Sequence, residues 1–161
     1  MDQEERMRNL IHDHADALLR LSYSYLKNRE DAKDILQNVF LKFLITNPSL
    51  EGFDDERRWL LHVTANECRD FLKKAEHKNV HDLDMCETVG IPDTYQEGNV
   101  LAAVNHLDPR YRDVLHLYYY EDYDVKSISQ LLQISESTVY TRLYRARELL
   151  KEILKGGNYE F

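Results

Sequence analysis

Glycine, proline, cysteine and tryptophan are all scarce in this chain of 161 residues, which has five, three, two and one of them, respectively. The shortage of glycine and proline argues against a loop-rich β protein, because tight turns and bulges use both. Two cysteines, Cys68 and Cys86, are too few for a disulfide framework and are typical of a reducing compartment. No apolar run is long enough to cross a bilayer, and the opening segment MDQEERMRNL lacks signal-peptide character. We therefore expect a cytoplasmic protein without membrane insertion.

Positive charge is also in short supply, since 21 Lys and Arg residues face 29 Asp and Glu residues and the formal net charge is −8. The deficit is concentrated in residues 79–99, which hold five acidic residues and no Lys or Arg. A protein held to DNA mainly by its overall charge should be basic. DNA binding by this chain would therefore require local basic surfaces, help from a partner, or both.

Apolar residues recur every three to four positions before and after the acidic segment, and no stretch alternates with a period of two, so helices are predicted throughout. The first helix is expected over about 8–27, the second from an N-cap at Asn28 to about Ile45, and the third from Asp54 or Asp55 to about His77. Their predicted apolar sides are Ile11, Ala15, Leu18, Leu21 and Tyr25 in the first helix, Ala32, Ile35, Val39 and Phe43 in the second, and Leu60, Val63, Thr64 and Phe71 in the third.

The second half of the chain begins with a segment that lacks periodicity, residues 79–98, and this segment is predicted to be a linker. After a short helix near 99–106, Asp108-Pro109 indicates an N-cap and the first position of a helix that runs to about Tyr119. Two more helices are expected over 124–132 and 135–155. The predicted fold is all-α, with two small helical bundles, 1–78 and 99–161, joined by the acidic linker 79–98.

The last two predicted helices have the layout of a helix-turn-helix. A three-residue turn places Ile134 toward the core, and Ser135 caps a long helix whose core side is Val139, Leu143, Ala146, Leu149 or Leu150, and Ile153. The opposite side of that helix is basic, and arginine can bind guanine edges in the major groove. The predicted DNA-binding residues are Thr138, Tyr140, Thr141, Arg142, Tyr144, Arg145 and Arg147, with Lys151 on the same flank. The alternative is a solvated face whose arginines pair with Glu148 and Glu152.

Three segments of the chain together resemble one protein family. The segment LDPRYRDVLHLYYYEDYDVKSISQLLQISESTVYTRLYRARELL, residues 107–150, resembles region 4 of the extracytoplasmic-function sigma factors. Similarly, NREDAKDILQNVFLKF (28–43) resembles the polymerase-binding helix of region 2, and RRWLLHVTANECRDFLKK (57–74) resembles the promoter-melting helix. The chain departs from the family pattern at Gln133 and Ser137, which replace glycines, and at Tyr140, which replaces a frequent basic residue. The first departure requires Gln133 to adopt the turn geometry.

One face of the second helix is offset from its predicted core side and combines polar with apolar residues: Asp34, Gln37, Leu41 and Leu44. Such a face, which the core does not need, is a candidate surface for docking a partner helix. The resemblance implies that it binds the coiled-coil clamp helices of RNA polymerase. The alternative is an ordinary solvated face on which the two leucines pack locally.

The third helix presents one aromatic and basic stripe at steps of three and four residues: Trp59, His62, Asn66, Arg69 and Lys73. Stacking surface combined with cations is suited to holding unpaired bases and their backbone. Trp59 is equally consistent with a core anchor. The resemblance implies recognition and melting of the minus-ten element here, with the loop 46–56 lining a pocket for an extruded base, and Asn66 is the residue we predict to read a base.

Other chemistry is not indicated. His77, His81 and Cys86 have a loosely metal-like spacing but lack a fourth ligand, and Cys68 is expected to be a buried thiol. Nucleotide-binding and nucleophile motifs are absent from the sequence, so we expect no enzyme activity, no cofactor and no metal.

The resemblance therefore implies an RNA polymerase sigma factor. Residues 1–78 would bind core RNA polymerase and melt the minus-ten element, and 99–161 would bind the minus-thirty-five element of duplex promoter DNA. The acidic linker would thread through the basic interior channel of the polymerase, and an anti-sigma factor is a further partner that the family suggests. Two alternatives remain open. One is a stand-alone helix-turn-helix regulator with 1–78 as a dimerisation or sensing bundle, and the other is a sigma-like protein that binds polymerase without initiating transcription.

Overall fold

The computed structural model describes residues 2–78 and 103–156, and every regular element in these two ranges is helical. The chain divides into two compact units, Met1–Ala75 and Glu76–Phe161. The prediction of an all-α fold with two helical bundles is confirmed. The predicted acidic linker, 79–98, lies outside the described residues. So does the beginning of the short helix expected near 99–106, of which residues 103–105 are helical.

The N-terminal unit contains α1 (Gln3–Leu26), α2 (Arg29–Thr46) and α3 (Phe53–Lys78). The predicted cap at Asn28 is confirmed, because its side chain accepts a hydrogen bond from the Asp31 amide at 3.0 Å. Lys27 and Asn47 end α1 and α2 in left-handed backbone, with φ of 54° and 47°. Because only Lys27 and Asn28 separate α1 from α2, these two helices are forced into a tight turn.

The core of this unit is built from all three helices. The four residues predicted to be buried on α2 are buried, with Val39 fully inaccessible. The prediction was wrong for Ile11, which is 43% exposed, while Leu10 is buried in its place. The buried stripe of α1 includes Leu10, His14 and Leu21, and Ile11 is displaced from it by about 100° around the helix axis.

The buried stripe of α3 also differs from the predicted one. Leu60 and Thr64 are buried as expected, but Val63 and Phe71 are only half-buried. The stripe instead continues through Leu61, Ala65 and Cys68, which leaves Val63 and Phe71 at its edges. Cys68 is a buried thiol, as predicted, and burial raises its pKa to about 12. The thiol therefore stays protonated and unreactive near neutral pH.

The described part of the C-terminal unit contains α4 (Pro109–Leu115), a π-helical turn (His116–Tyr120), α5 (Val125–Leu132) and α6 (Glu136–Gly156). A single helix was expected to run to Tyr119, but the helix widens after Leu115, and the Glu121 amide donates to the His116 carbonyl five residues back at 3.1 Å. The widened turn keeps Leu117 buried and leaves Tyr119 exposed. Asp108 precedes Pro109 as predicted, although its side chain makes no capping hydrogen bond.

The helix-turn-helix consists of α5 and α6. The predicted cap at Ser135 is confirmed, since its hydroxyl accepts from the Thr138 amide at 3.1 Å. Gln133 adopts the left-handed conformation that the turn requires (φ 56°, ψ 47°), so the departure from glycine is accommodated. Ile134 is half-buried, which corrects the prediction of a core residue. Its amide and carbonyl both bond to Ser129, and these bonds hold it at the edge of the core.

The structure shows which of Leu149 and Leu150 lies on the core side of α6. Leu150 is buried and Leu149 is 38% exposed. Leu154 is buried where Ile153 was expected, and Ile153 is half-buried. Steps of four and three residues from Val139 lead to Leu150 and then Leu154, so the helix period selects these two positions.

Candidate nucleic-acid interfaces and a candidate docking face

The outer side of α6 carries the predicted DNA-binding residues of the C-terminal unit. Four of them line one cleft of about 190 Å³: Thr138, Thr141, Arg142 and Arg145. Arg142 is half-buried and Arg145 is exposed, and neither makes an ion pair with any residue that the structure describes. The alternative in which these arginines pair with glutamates is contradicted for Glu148, whose Oε1 lies 3.8 Å from Lys151 Nζ instead. The two guanidinium groups are thus available to an external anion.

The cleft includes three residues that the sequence analysis did not select: Arg110, Tyr111 and Ser137. Arg110 lies in the first turn of α4, and its guanidinium carbon is 4.9 Å from the centre of the Tyr111 ring. Helix periodicity had indicated which residues of α6 share a face. It could not indicate which residues of α4 lie beside that face, because this depends on the packing of the two helices.

The residues predicted to lie beside the basic face of α6 differ in whether they contact the rest of their unit. Tyr140 and Tyr144 are 62% and 64% exposed, one helical turn apart. Arg147 instead contacts its own unit, because its Nε donates to the Tyr119 hydroxyl at 2.7 Å and its guanidinium lies over the Tyr118 and Tyr119 rings. The tyrosines can contact a ligand directly, whereas Arg147 is already held in place by the π-helical turn.

On α3, three residues of the predicted stripe form a hydrogen-bonded series. Arg69 Nη2 donates to Asn66 Oδ1 at 2.7 Å, and Asn66 Nδ2 lies 3.3 Å from His62 Nε2. Because Arg69 can only donate, Asn66 Oδ1 faces it, so Asn66 Nδ2 donates to a neutral His62. The Asn66 amide is therefore fixed in orientation and retains one N–H and one oxygen lone pair for a ligand.

The two ends of this stripe differ in burial. Trp59 is half-buried, and its indole meets the Phe43 ring edge-on with the centroids 5.5 Å apart. Trp59 thus packs against α2 and also keeps exposed surface, which is compatible with both roles considered for it. Lys73, at the other end, is exposed.

The candidate docking face of α2 is uncovered by the rest of its unit. Asp34 and Gln37 are exposed, and Leu41 and Leu44 are 54% and 39% exposed. These values argue against the alternative in which the two leucines pack locally. Ile45 is 81% exposed at the end of the same face and was not selected from the sequence. In the sequence, its position four residues after Leu41 could have identified it as part of this face.

A network that the sequence did not reveal holds the beginning of α3 against α1. The Arg57 Nε donates to His14 Nδ1 at 2.9 Å, while His14 Nε2 lies 3.4 Å from a Glu56 oxygen. Arg57 also donates to the Asp13 carbonyl, and the Phe53 ring lies 4.6 Å from the His14 ring. Because Nδ1 accepts a hydrogen bond, His14 is neutral and carries its proton on Nε2. This network anchors the first turns of α3, which begins at Phe53, so the predicted loop 46–56 is shorter than expected and spans residues 47–52.

We expect the N-terminal unit to lose stability as the pH falls below about 6.5, the ordinary pKa of histidine. Burial lowers the pKa of His14, and the effect of Arg57 adds to this, against the opposing effect of Glu56 and Asp13. Below pH 6.5, His14 therefore binds a proton more readily in the unfolded chain than in the folded chain. The stabilisation present above pH 6.5 is lost as the pH falls toward the folded-state pKa. The free energy of unfolding decreases by at most about 1.4 kcal/mol per pH unit.

This expectation is measured by urea unfolding between pH 5 and pH 7. The His14→Gln variant should be less stable than the wild type at pH 7, with a smaller change in its unfolding midpoint across this range. Equal slopes for the two proteins would contradict the assignment of the pH dependence to His14. The exposed His12→Gln substitution, two residues away on α1, is the matched control.

Over the described residues, no helix combines the length and the hydropathy needed to cross a membrane, and no group of three metal-ligating side chains is brought together. The side chains of His77, His81 and Cys86, considered and set aside as a metal site, lie outside the described part of the structure.

Comparison with known proteins gives consistent matches over both units. Residues 10–78 match the family described as Sigma-70 region 2, and residues 97–150 match Sigma-70, region 4. The chain is 31% identical to RNA polymerase sigma factor SigV of Bacillus subtilis (strain 168), over 88% of this chain and 86% of that protein. It is also 28% identical to the ECF RNA polymerase sigma factor SigM of the same organism, over 86% and 88% of the two chains.

A solved structure shares the fold. The sigma factor RpoE, in its complex with the anti-sigma factor NepR from Bartonella quintana, matches with a TM-score of 0.66 and 19% identity over 94% of this chain and 96% of that one. The two family matches and the identity to SigV over most of both chains establish the family. The chain belongs to the extracytoplasmic-function group of the sigma-70 family and is an RNA polymerase sigma factor, which directs promoter-specific transcription initiation by binding core RNA polymerase and promoter DNA.

Proposed function

We propose that the two units divide promoter recognition between them. Residues 1–78 would dock on core RNA polymerase and recognise and melt the minus-ten element, residues 79–98 would form the linker, and residues 99–161 would bind the minus-thirty-five element. The protein would act in the cytoplasm as a binding subunit rather than as an enzyme. The observation that carries this division is the uncovered α2 face, Asp34 to Leu44, in a unit separate from the basic face of α6. A stand-alone regulator with 1–78 as a dimerisation bundle would instead bury that face against a second copy of the chain.

For the minus-ten element, the proposal rests on the stripe of α3. Asn66 would read an unpaired base, because its amide is fixed by Arg69 and His62 and retains one donor and one acceptor. The exposed part of Trp59 would stack on a neighbouring base, and Lys73 would contact the backbone. Fixing the amide before binding lowers the entropy cost of reading a base.

For the minus-thirty-five element, α6 would enter the major groove of duplex DNA. Arg145 is exposed and would reach a guanine edge, while Thr138, Thr141 and Arg142 would contact the adjacent bases and backbone. Tyr140 and Tyr144 would lie along the groove wall. Arg147 would support the same surface from its position on Tyr119, within reach of a phosphate.

An anti-sigma factor would be a further partner, as it is for RpoE in its complex with NepR. We propose that such a protein would act on the α2 face, because the exposed Leu41, Leu44 and Ile45 provide apolar surface that either partner can bury. Competition for that surface would keep the sigma factor from polymerase.

Transcription reconstituted with purified core polymerase tests the proposed function. We expect the full chain to direct initiation from templates that share one pair of upstream elements, and an Asn66→Ala variant to bind polymerase but open these templates poorly. The matched control is Asn9→Ala on α1, since Asn9 is exposed and belongs to none of the proposed surfaces. Polymerase binding without any initiation would instead identify a sigma-like protein that does not initiate.

A further inference from the structure

The cleft between α4 and α6 combines three arginines with four side chains that carry a hydroxyl, and none of its lining residues is a carboxylate. The lining residues are Arg110, Tyr111, Ser137, Thr138, Thr141, Arg142 and Arg145. We propose that this cleft binds one backbone phosphate of duplex DNA and that Arg110 is a DNA-binding residue supplied by α4. This inference rests on the proposed function of the C-terminal unit and adds to it a second element that contacts DNA.

The charges of the cleft are not compensated within the described structure. Arg142 and Arg145 make no ion pair there, and Arg110 has only a long contact to Asp108, with 3.9 Å between Nε and Oδ2. Both partners of that contact are 57% exposed, so solvent screens it strongly. Three guanidinium groups around one concavity repel each other, and a bound anion removes this repulsion. The feature is unusual in a chain with a net charge of −8.

Contacts within the protein determine which side chains of the cleft can bind a phosphate. The Arg110 guanidinium lies over the ring of Tyr111, which is only 7% exposed and therefore fixed. Thr141 donates its hydroxyl proton to the Ser137 carbonyl at 2.9 Å and has none left for an anion. The charged donors are the arginines, whose fork matches phosphate oxygens. Arg110 and Arg142 would hold the phosphate, while Arg145 reaches the base edge.

The cleft is large enough for a phosphate, and its position favours a backbone phosphate over a base. The cleft of about 190 Å³ is several times the roughly 30 Å³ that a water molecule occupies in the liquid, which leaves room for a phosphate group and bound water. In an intact duplex the bases remain stacked, whereas the phosphates project outward and can enter a cleft between two helices. A phosphate held from both α4 and α6 would fix the orientation of α6 in the groove.

The test compares full-length Arg110→Ala with full-length Lys155→Ala, which removes one exposed positive charge near the end of the same helix α6. Binding to a duplex of arbitrary sequence is measured over a range of salt concentrations. We expect the slope of log K against log salt to become shallower by about 0.9 for Arg110→Ala, as for one lost phosphate contact, and to stay unchanged for Lys155→Ala. Arg110→Lys should recover part of the slope, because it keeps the charge without the fork.

The outcomes separate this inference from the proposed function. With core polymerase present, Arg110→Ala should weaken binding by a similar factor on a selected promoter and on a scrambled one. If the wild-type complex selects no upstream sequence, the proposed function fails, while the salt slope still tests Arg110. An unchanged slope for Arg110→Ala overturns the inference. An unchanged slope together with binding of millimolar inorganic phosphate to the wild type but not to Arg110→Ala would identify a small phosphate as the ligand instead.

Discussion

A variant that combines Asp34→Ala with Gln37→Ala is expected to lose its association with core RNA polymerase and to remain folded. Both side chains are exposed on α2, beside Leu41 and Leu44, and none of the four is needed by the core. We expect both to be hot spots of the interface, and such side chains cost about 2 kcal/mol or more each on truncation. Because 1.4 kcal/mol corresponds to a factor of ten, the double substitution should weaken association roughly several hundred-fold.

The measurement is co-purification of the full chain with core polymerase, together with a thermal unfolding curve of the free protein. Exposed substitutions of this kind change stability by about 0.5 kcal/mol at most, so the unfolding curve should be nearly unchanged. The matched control is Asp16→Ala with Gln3→Ala, which removes one carboxylate and one amide from exposed positions of α1. Normal co-purification of the α2 double variant would refute the assignment of the docking face.

The second large effect is expected for Arg145→Ala, which should reduce recognition of the upstream promoter element by about 1–3 kcal/mol, as for a lost bidentate contact to guanine. Arg145 is exposed on α6 and makes no ion pair with a described residue, so its removal leaves no buried partner behind. The loss should be specific to one base position, because a base contact carries sequence information that a phosphate contact lacks.

This effect is measured as the affinity of the polymerase complex for promoters that differ by single bases in the upstream element. Arg145→Ala should flatten the preference at one position and bind core polymerase normally. Lys155→Ala again provides the charge-matched comparison on the same helix. A variant of Arg145 that lost polymerase binding would mean that the roles of the two units had been assigned wrongly.

The acidic character of the chain is consistent with this division of labour. With a net charge of −8, the free protein is only weakly attracted to DNA in general, and its cations act only where they gather, as on α6. Polymerase supplies the missing attraction when it holds both units on one promoter, because the second contact then forms at high effective concentration. We therefore expect specific binding by the free chain to be weak.

Several features follow from local sequence alone. The cap at Asn28, the cap at Ser135 and the buried side of α2 depend on residues within one helical turn of each other, and the sequence predicted all of them. The helix-turn-helix was predictable for the same reason, although Gln133 replaces the usual glycine. The position of the core stripe was less certain where two apolar residues are adjacent. The errors at Ile11 and Ile153 each amount to one position along the chain.

By itself, the sequence determined the helices, their faces and the two motifs that identify a sigma factor, since hydrophobic period and capping act between residues three or four apart. Only the tertiary structure decided which side chains from different elements meet. His14 meets Glu56 and Arg57 across 42 and 43 residues, and Arg147 meets Tyr119 across 28. Arg110 joins the cleft with Arg145 through the packing of α4 against α6. Such contacts depend on how helices pack, and a period along one helix carries no information about its neighbour.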